Sequence, residues 1–281
     1  MIRKLLHLHR NLSTVLTFFL FLLLGSSLNV RGQTVLGARE LAMGQATTAL
    51  QGTSWSMFSN PAMMPTDNKT VSFFGVRYYG LSEITDVAVS VTYPTNVGVL
   101  GAGAHRFGYS KYNENRIRLG YKNSFMGFHF GAIVNYSHVA MGGGYGSAGA
   151  TGVDVGLAAP ILPGLWIGAK ATNINQPHYG SRNDEALPRD LSIGLSYQLS
   201  DIALFTSEIY KDVQFPISYR GGVEVTIIDN LVGRAGFTTE PQTFSAGFGY
   251  SGSFWGANVA VQRHENRVLG YSPAVDFKIN W

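Results

Sequence analysis

From residue 70 to the end, the chain is a train of segments in which apolar side chains occupy every second position. Period two marks a strand with two unlike faces. Glu114 to Lys122 sets Ile117, Leu119 and Tyr121 against Arg116, Arg118, Gly120 and Lys122. Gly127 to Ser137 sets Phe128, Phe130, Ala132, Val134 and Tyr136 against His129, Gly131, Asn135 and Ser137. Asp86–Tyr93, Gly152–Ala159, Leu165–Thr172, Arg189–Leu199 and Ser218–Ile228 obey the same rule. Thr70–Tyr79, Leu231–Thr238, Thr243–Ser251, Phe254–His264 and Tyr271–Trp281 also read as strands, as do Gly-rich Val97–Tyr109 and Ile202–Lys211, whose phase the pattern does not assign. The total is about fourteen strands. Most hold about 8 to 12 residues, which matches the roughly 9–11 of a tilted membrane strand and exceeds the roughly 5–6 of a globular one.

The connections point the same way. Even-numbered ones are tight: Pro94–Asn96, Asn123–Met126, Pro160–Gly164, Ser200–Asp201, Asp229–Asn230 and Gly252–Ser253. Odd-numbered ones are longer: Gly80–Thr85, His138–Thr151, Asn173–Pro188, Asp212–Ile217 and Glu265–Gly270. Short turns at one end and long loops at the other are the habit of outer-membrane barrels, whereas a β-sandwich has no reason to sort loops by parity. The expectation is an all-β, transmembrane antiparallel β-barrel of about fourteen strands. Its last strand must close on its first, because an open edge in lipid leaves backbone donors unpaired.

Residues 1–32 read as a signal peptide that directs the chain to the bacterial outer membrane. Arg3, Lys4 and Arg10 precede an apolar core at Val15–Leu24, and Val30-Arg31-Gly32 is the expected cleavage site. The segment carries four basic and no acidic residues. Subtracting those four from the 21 basic residues leaves 17 against 17 acidic ones, so the high pI supplies no case for nucleic acid. Cysteine is absent, which removes disulfides and thiolate chemistry. No metal-ligand spacing, G-x-S-x-G or H-E-x-x-H run occurs, so neither an enzyme, a cofactor nor a metal is expected.

Residues 33–69 break the alternation. Gly37 to Pro65 mixes small residues with single large ones (Leu41, Met43, Leu50, Trp55, Phe58) and ends at Asn60-Pro61-Ala62. The strands of 70–281 are expected to wrap around this segment as a plug. Period two then predicts lumen-facing charges at Arg116, Arg118, Asp154, Lys170, Arg220, Glu224, Arg234, Asp276 and Lys278. Mixed signs suit an interior that clamps a plug. Tyr271, Phe277, Ile279 and Trp281 share one face of the last strand, as in the C-terminal signal that outer-membrane assembly machinery reads.

Gly37-Ala38-Arg39 with Met43-Gly44, followed by Asn60-Pro61-Ala62 directly before the first strand, resembles the N-terminal signature of the PorV/PorQ family. That family lies within the long-chain fatty-acid transporter (FadL-like) group of barrels. The resemblance implies a role in type IX protein secretion or surface attachment, with secretion subunits and exported cargo as partners beside outer-membrane lipid. The transporter relatives imply an alternative: passage of hydrophobic small molecules such as long-chain fatty acids, along a path past Trp55 and Phe58.

Overall fold

The computed structural model describes residues 36–143, 146–180, 185–265 and 270–281. The expected signal peptide lies outside these residues. Fourteen strands form one closed antiparallel barrel: β1 (Thr70–Arg77), β2 (Thr85–Thr95), β3 (Gly98–Gly108), β4 (Tyr112–Phe125), β5 (Phe128–Met141), β6 (Gly146–Leu162), β7 (Leu165–Ala171), β10 (Asp190–Ser200), β11 (Ala203–Asp212), β12 (Ser218–Ile228), β13 (Leu231–Thr239), β14 (Gln242–Ser251), β15 (Trp255–His264) and β16 (Tyr271–Asn280). Two short strands, β8 (His178–Tyr179) and β9 (Glu185–Ala186), pair with each other outside the barrel. Closure runs through β1 and β16, with Thr70 opposite Asn280 and Val76 opposite Ala274, so no barrel edge remains.

The outward face is apolar. Ile117, Leu119, Phe128, Leu157, Ile193 and Phe248 are each more than half exposed, a surface that lipid solvates and water does not. The inward face carries small and polar residues. Among the described residues no helix is long and apolar enough to cross a membrane.

At the end where both barrel termini lie, the connections hold two residues each at 96–97, 126–127, 163–164, 201–202 and 229–230, and three at 252–254. The other end is more varied than the loop parity predicts. The 78–84 and 172–189 connections are long, whereas 109–111 and 240–241 are as tight as the inner turns. The expected loop His138–Thr151 is mostly strand, because β5 and β6 continue their ladder with Ser137 opposite Ala150 and Ala140 opposite Ser147. Backbone pairing needs no side-chain phase, and a Gly/Ala/Ser run standing beyond the apolar belt shows none. β7 stops at Ala171, opposite Val155. The following loop takes over its role: Ile174 N–H donates to the Val153 carbonyl (2.9 Å), and the Asn175 amide accepts from Val153 N–H (2.9 Å) and donates to the Thr151 carbonyl (2.9 Å).

Candidate functional site

The lumen is filled by residues 36–64, almost all of them buried. The segment contains one short helix, α1 (Ala38–Ala42), a run of turns, and a 3-10 turn at Pro61–Met63. Such a segment cannot satisfy its own backbone groups, and burial removes water as a partner. The barrel wall supplies what is missing.

Around the first half of the plug the wall offers carboxylates to backbone N–H groups. Gly37 caps α1 without a side chain. Asp276 of β16 fills the role from across the chain, accepting Ala38 N–H at 2.7 Å and Arg39 N–H at 3.4 Å. Glu208 of β11 accepts Thr47 N–H and Thr48 N–H at 2.8 and 2.9 Å and is paired with Arg220 at 3.1 Å. Glu224 of β12 takes the Arg39 guanidinium on both oxygens (2.9 and 3.0 Å) and also accepts from Arg234 (2.5 Å). Arg39 in turn donates to the Gln51 carbonyl at 2.9 Å, which ties the plug to itself.

Around the second half the polarity reverses, and wall cations donate to plug carbonyls. Arg118 reaches the Met57 carbonyl at 2.8 Å and Lys122 the Met64 carbonyl at 2.6 Å, both from β4. Asn60 is wholly buried. Its Oδ1 accepts Ala62 N–H (3.0 Å), starting the 3-10 turn, and its Nδ2 donates to the Thr48 and Leu157 carbonyls (2.7 and 3.1 Å). Pro61 sits at the first position of that turn, where no donor is needed.

Glycine in the inward phase of the wall marks where plug backbone touches wall backbone. A Cβ built on Gly131 would lie 2.6 Å from the Pro61 carbonyl carbon. Conversely, Gly44 of the plug has φ +61°, and a Cβ there would meet the Phe237 backbone nitrogen at 2.5 Å. Gly37, at φ +109°, lies against the Glu40 carboxyl and the Trp55 ring, where a side chain does not fit. Gly37, Ala38, Arg39, Met43, Gly44, Asn60, Pro61 and Ala62 all lie in this lumenal segment, where Met43 packs against Leu50 and Leu204.

An apolar file runs through the plug. Leu36, Leu41 and Trp55 pack with Phe74, Val76, Ala260 and Ala274 of the wall. Met57 and Met64 pack with Val99 and Ile133, and Phe58 touches both groups. Trp55 stands 5.6 Å from Phe74 and 6.0 Å from Phe58, ring centre to ring centre. Val76 lies near the outer end of β1 and Val99 near the inner turn at 96–97, so the file extends along most of the lumen.

The charges read from period two all lie on inward-facing strand positions. Arg116 donates to Ser137 Oγ (2.9 Å), and Asp154 accepts from Asn135 Nδ2 (3.1 Å) and Asn173 N–H (2.9 Å). Lys170 faces Asp190 at 3.6 Å, and Lys278 follows Asp276 on the inner face of β16. Sequence reasoning missed Glu208, Asp190 and the buried Asp86–His105 pair (2.5 Å). Glu208 was hidden because β11 turns Leu204 and Tyr210 inward and Ser207 outward, which erases the contrast between faces. Tyr271, Phe277 and Trp281 face outward and are exposed, with Ile279 on the same side. Within the expected loops His138–Thr151 and Asn173–Pro188, His178 and Tyr179 form β8, whereas Tyr145 and Arg182 fall outside the described residues.

No protein-family model and no curated protein matches the chain. Solved structures do. The toluene transporter TodX of Pseudomonas putida aligns over 92% of this chain and 100% of its own, with TM-score 0.65 and 14% identity. The toluene transporter TbuX of Ralstonia pickettii aligns over 87% and 97%, with TM-score 0.62 and 14% identity. CymD, a monoaromatic hydrocarbon channel, aligns over 88% and 97%, with TM-score 0.64 and 12% identity. The chain therefore shares its fold with these toluene transporters and this hydrocarbon channel.

Proposed function

We propose that this protein carries small hydrophobic molecules across the outer membrane, and that the apolar file through Trp55, Phe58, Met57 and Met64 is their route. The file is the observation that carries the reading. Charged clamps surround the plug on most sides, yet one continuous strip from Val76 to Val99 is lined by aromatic, aliphatic and thioether groups. Methionine is unbranched and deformable, suited to a passage that closes when empty and yields to a ligand. The shared fold with toluene transporters and hydrocarbon channels supports the same reading and suggests monoaromatic cargo, and the FadL-like resemblance adds fatty-acyl cargo.

The secretion role implied by the PorV/PorQ resemblance has less support. The residues that carry that resemblance are accounted for by plug docking, which a transporter needs equally. Uptake of radiolabelled toluene and of a long-chain fatty acid, by cells making this barrel, tests the proposal. Several-fold faster uptake than in cells making Met57→Arg, which puts a charge into the file, is expected. Equal uptake, with secretion subunits or exported proteins co-purifying with the barrel, would return the assignment to secretion.

A further inference from the structure

One ionisable group of the plug has no counter-charge bonded to it. Glu40, on α1, is completely buried. One of its oxygens accepts from Thr53 Oγ1, and the other has no hydrogen-bond partner among the described residues. That free oxygen lies beside Gly37 and the Trp55 ring. Asp276, the wall carboxylate that caps α1, also acts on Glu40 as a like charge. A buried carboxylate without a bonded cation is unstable as an anion, and a second carboxylate nearby makes it more so.

The surrounding charges do not cancel this. Arg39, the next residue, is committed to Glu224 on both oxygens. Arg234 of β13 is shared between Glu224 and Asn258, and Lys278 of β16 makes its electrostatic contact with both carboxylates at longer range. β14 and β15, which pack most closely on α1, present uncharged Ser245, Gly247, Asn258 and Ala260 at this level; His264 lies farther out, against Ser272.

We propose that Glu40 is a proton-binding latch for the plug. With a proton held by the Glu40–Asp276 pair, the plug is locked onto β16. Loss of that proton sets two negative charges against each other across the plug–wall joint and loosens it. Burial, and then the like charge of Asp276, push the Glu40 carboxyl up from 4.5 to about 7. The sign follows from linkage: a carboxyl whose docked pKa is raised favours docking fully below its free value. That advantage falls as pH rises from the free to the docked value, after which it stays lost. Plug docking is therefore tighter in acid and weaker above neutrality, by a factor on the order of fifty between pH 5 and pH 8. The latch does not depend on what the barrel carries.

The cysteine-free chain offers a clean probe. Ala46→Cys places one thiol on the buried first half of the plug, the half that contains α1, and its labelling rate is divided by that of Ser253→Cys in an exposed inner turn, which removes the reagent's own pH dependence. In reconstituted vesicles the ratio is expected to rise tens-fold from pH 5 to pH 8, and to become flat in Glu40→Gln. Gln is isosteric, keeps an acceptor for Thr53, and its folding is checked by heat-modifiable gel mobility. Thr53→Val, which withdraws the side-chain donor to the ionised carboxyl, is expected to move the midpoint upward. A ratio that is flat in the parent, or a slope that survives Glu40→Gln in a folded barrel, would overturn the latch. A Thr53→Val midpoint that stays in place would overturn it too.

Discussion

The two halves of the plug are held by opposite chemistry. Leu36 to Leu50 presents N–H groups to Asp276 and Glu208 and a guanidinium to Glu224, so carboxylates dominate its seat, with Arg220, Ser196 and Ser245 donating to the Gln45, Ala49 and Ala42 carbonyls beside them. Trp55 to Met64 presents carbonyls to Arg118 and Lys122 and the Asn60 amide to the Leu157 carbonyl, and the rest of its wall contacts are mainly apolar. An amide N–H that loses an acceptor in a buried site is orphaned outright. A carbonyl has two lone pairs and is less costly to leave under-satisfied. The first half is therefore the fixed part of the plug. The second, with its methionines and aromatic rings, is the part that can yield, and the apolar file passes through it.

Substitutions can break this contrast in a graded way. Gly44→Val should have the largest effect. The plug backbone at φ +61° lies against the backbone of β12 and β13, so a branched side chain costs about 3 kcal/mol or more and displaces the first half. Ion conductance in planar bilayers, small for the plugged barrel, should rise to the level of an open pore. Glu208→Ala comes next. It strips acceptors from Thr47 and Thr48 and leaves Arg220 without its carboxylate partner, at a cost of about 3–5 kcal/mol. Hydrogen exchange at those two amides should accelerate by several orders of magnitude, with Glu208→Gln recovering part of the protection.

Arg118→Met removes one donor to the second half and the cation facing Asp154 (3.5 Å), and should cost about 3 kcal/mol, seen within the plug as faster exchange confined to residues 55–64. Exchange that spread equally into residues 38–50 would mean that the two halves are one unit. Phe58→Leu is the mildest, at about 1 kcal/mol, and should increase hydrophobic uptake while leaving ion conductance low.

Much of this was legible in the chain. Alternation identified the wall strands to within a few residues, because a barrel between lipid and a polar lumen forces contrast onto every strand. It failed where that forcing stops. The outer part of β6, at Gly146–Thr151, stands beyond the apolar belt and shows no phase. β11 packs Leu204 and Tyr210 against the plug side, so Glu208 did not stand out. For the plug, the G-A-R and N-P-A runs marked the docking residues, but not their partners. That Asp276 caps α1, 238 positions away, is a consequence of barrel closure that no local pattern encodes. Glu40 carried no role in the sequence reading, because only barrel closure brings Asp276 to its helix.

The central claim is that hydrophobic molecules pass through the lumen along the soft half of the plug. The most direct measurement is photo-crosslinking in outer membranes with a small diazirine-bearing aromatic probe, with adducts located by mass spectrometry. Adducts at Trp55, Met57, Phe58 and Met64, competed away by excess toluene, are the expected result. Adducts confined to lipid-facing residues such as Phe205, Phe244 and Phe248, with the lumen unlabelled, would contradict it.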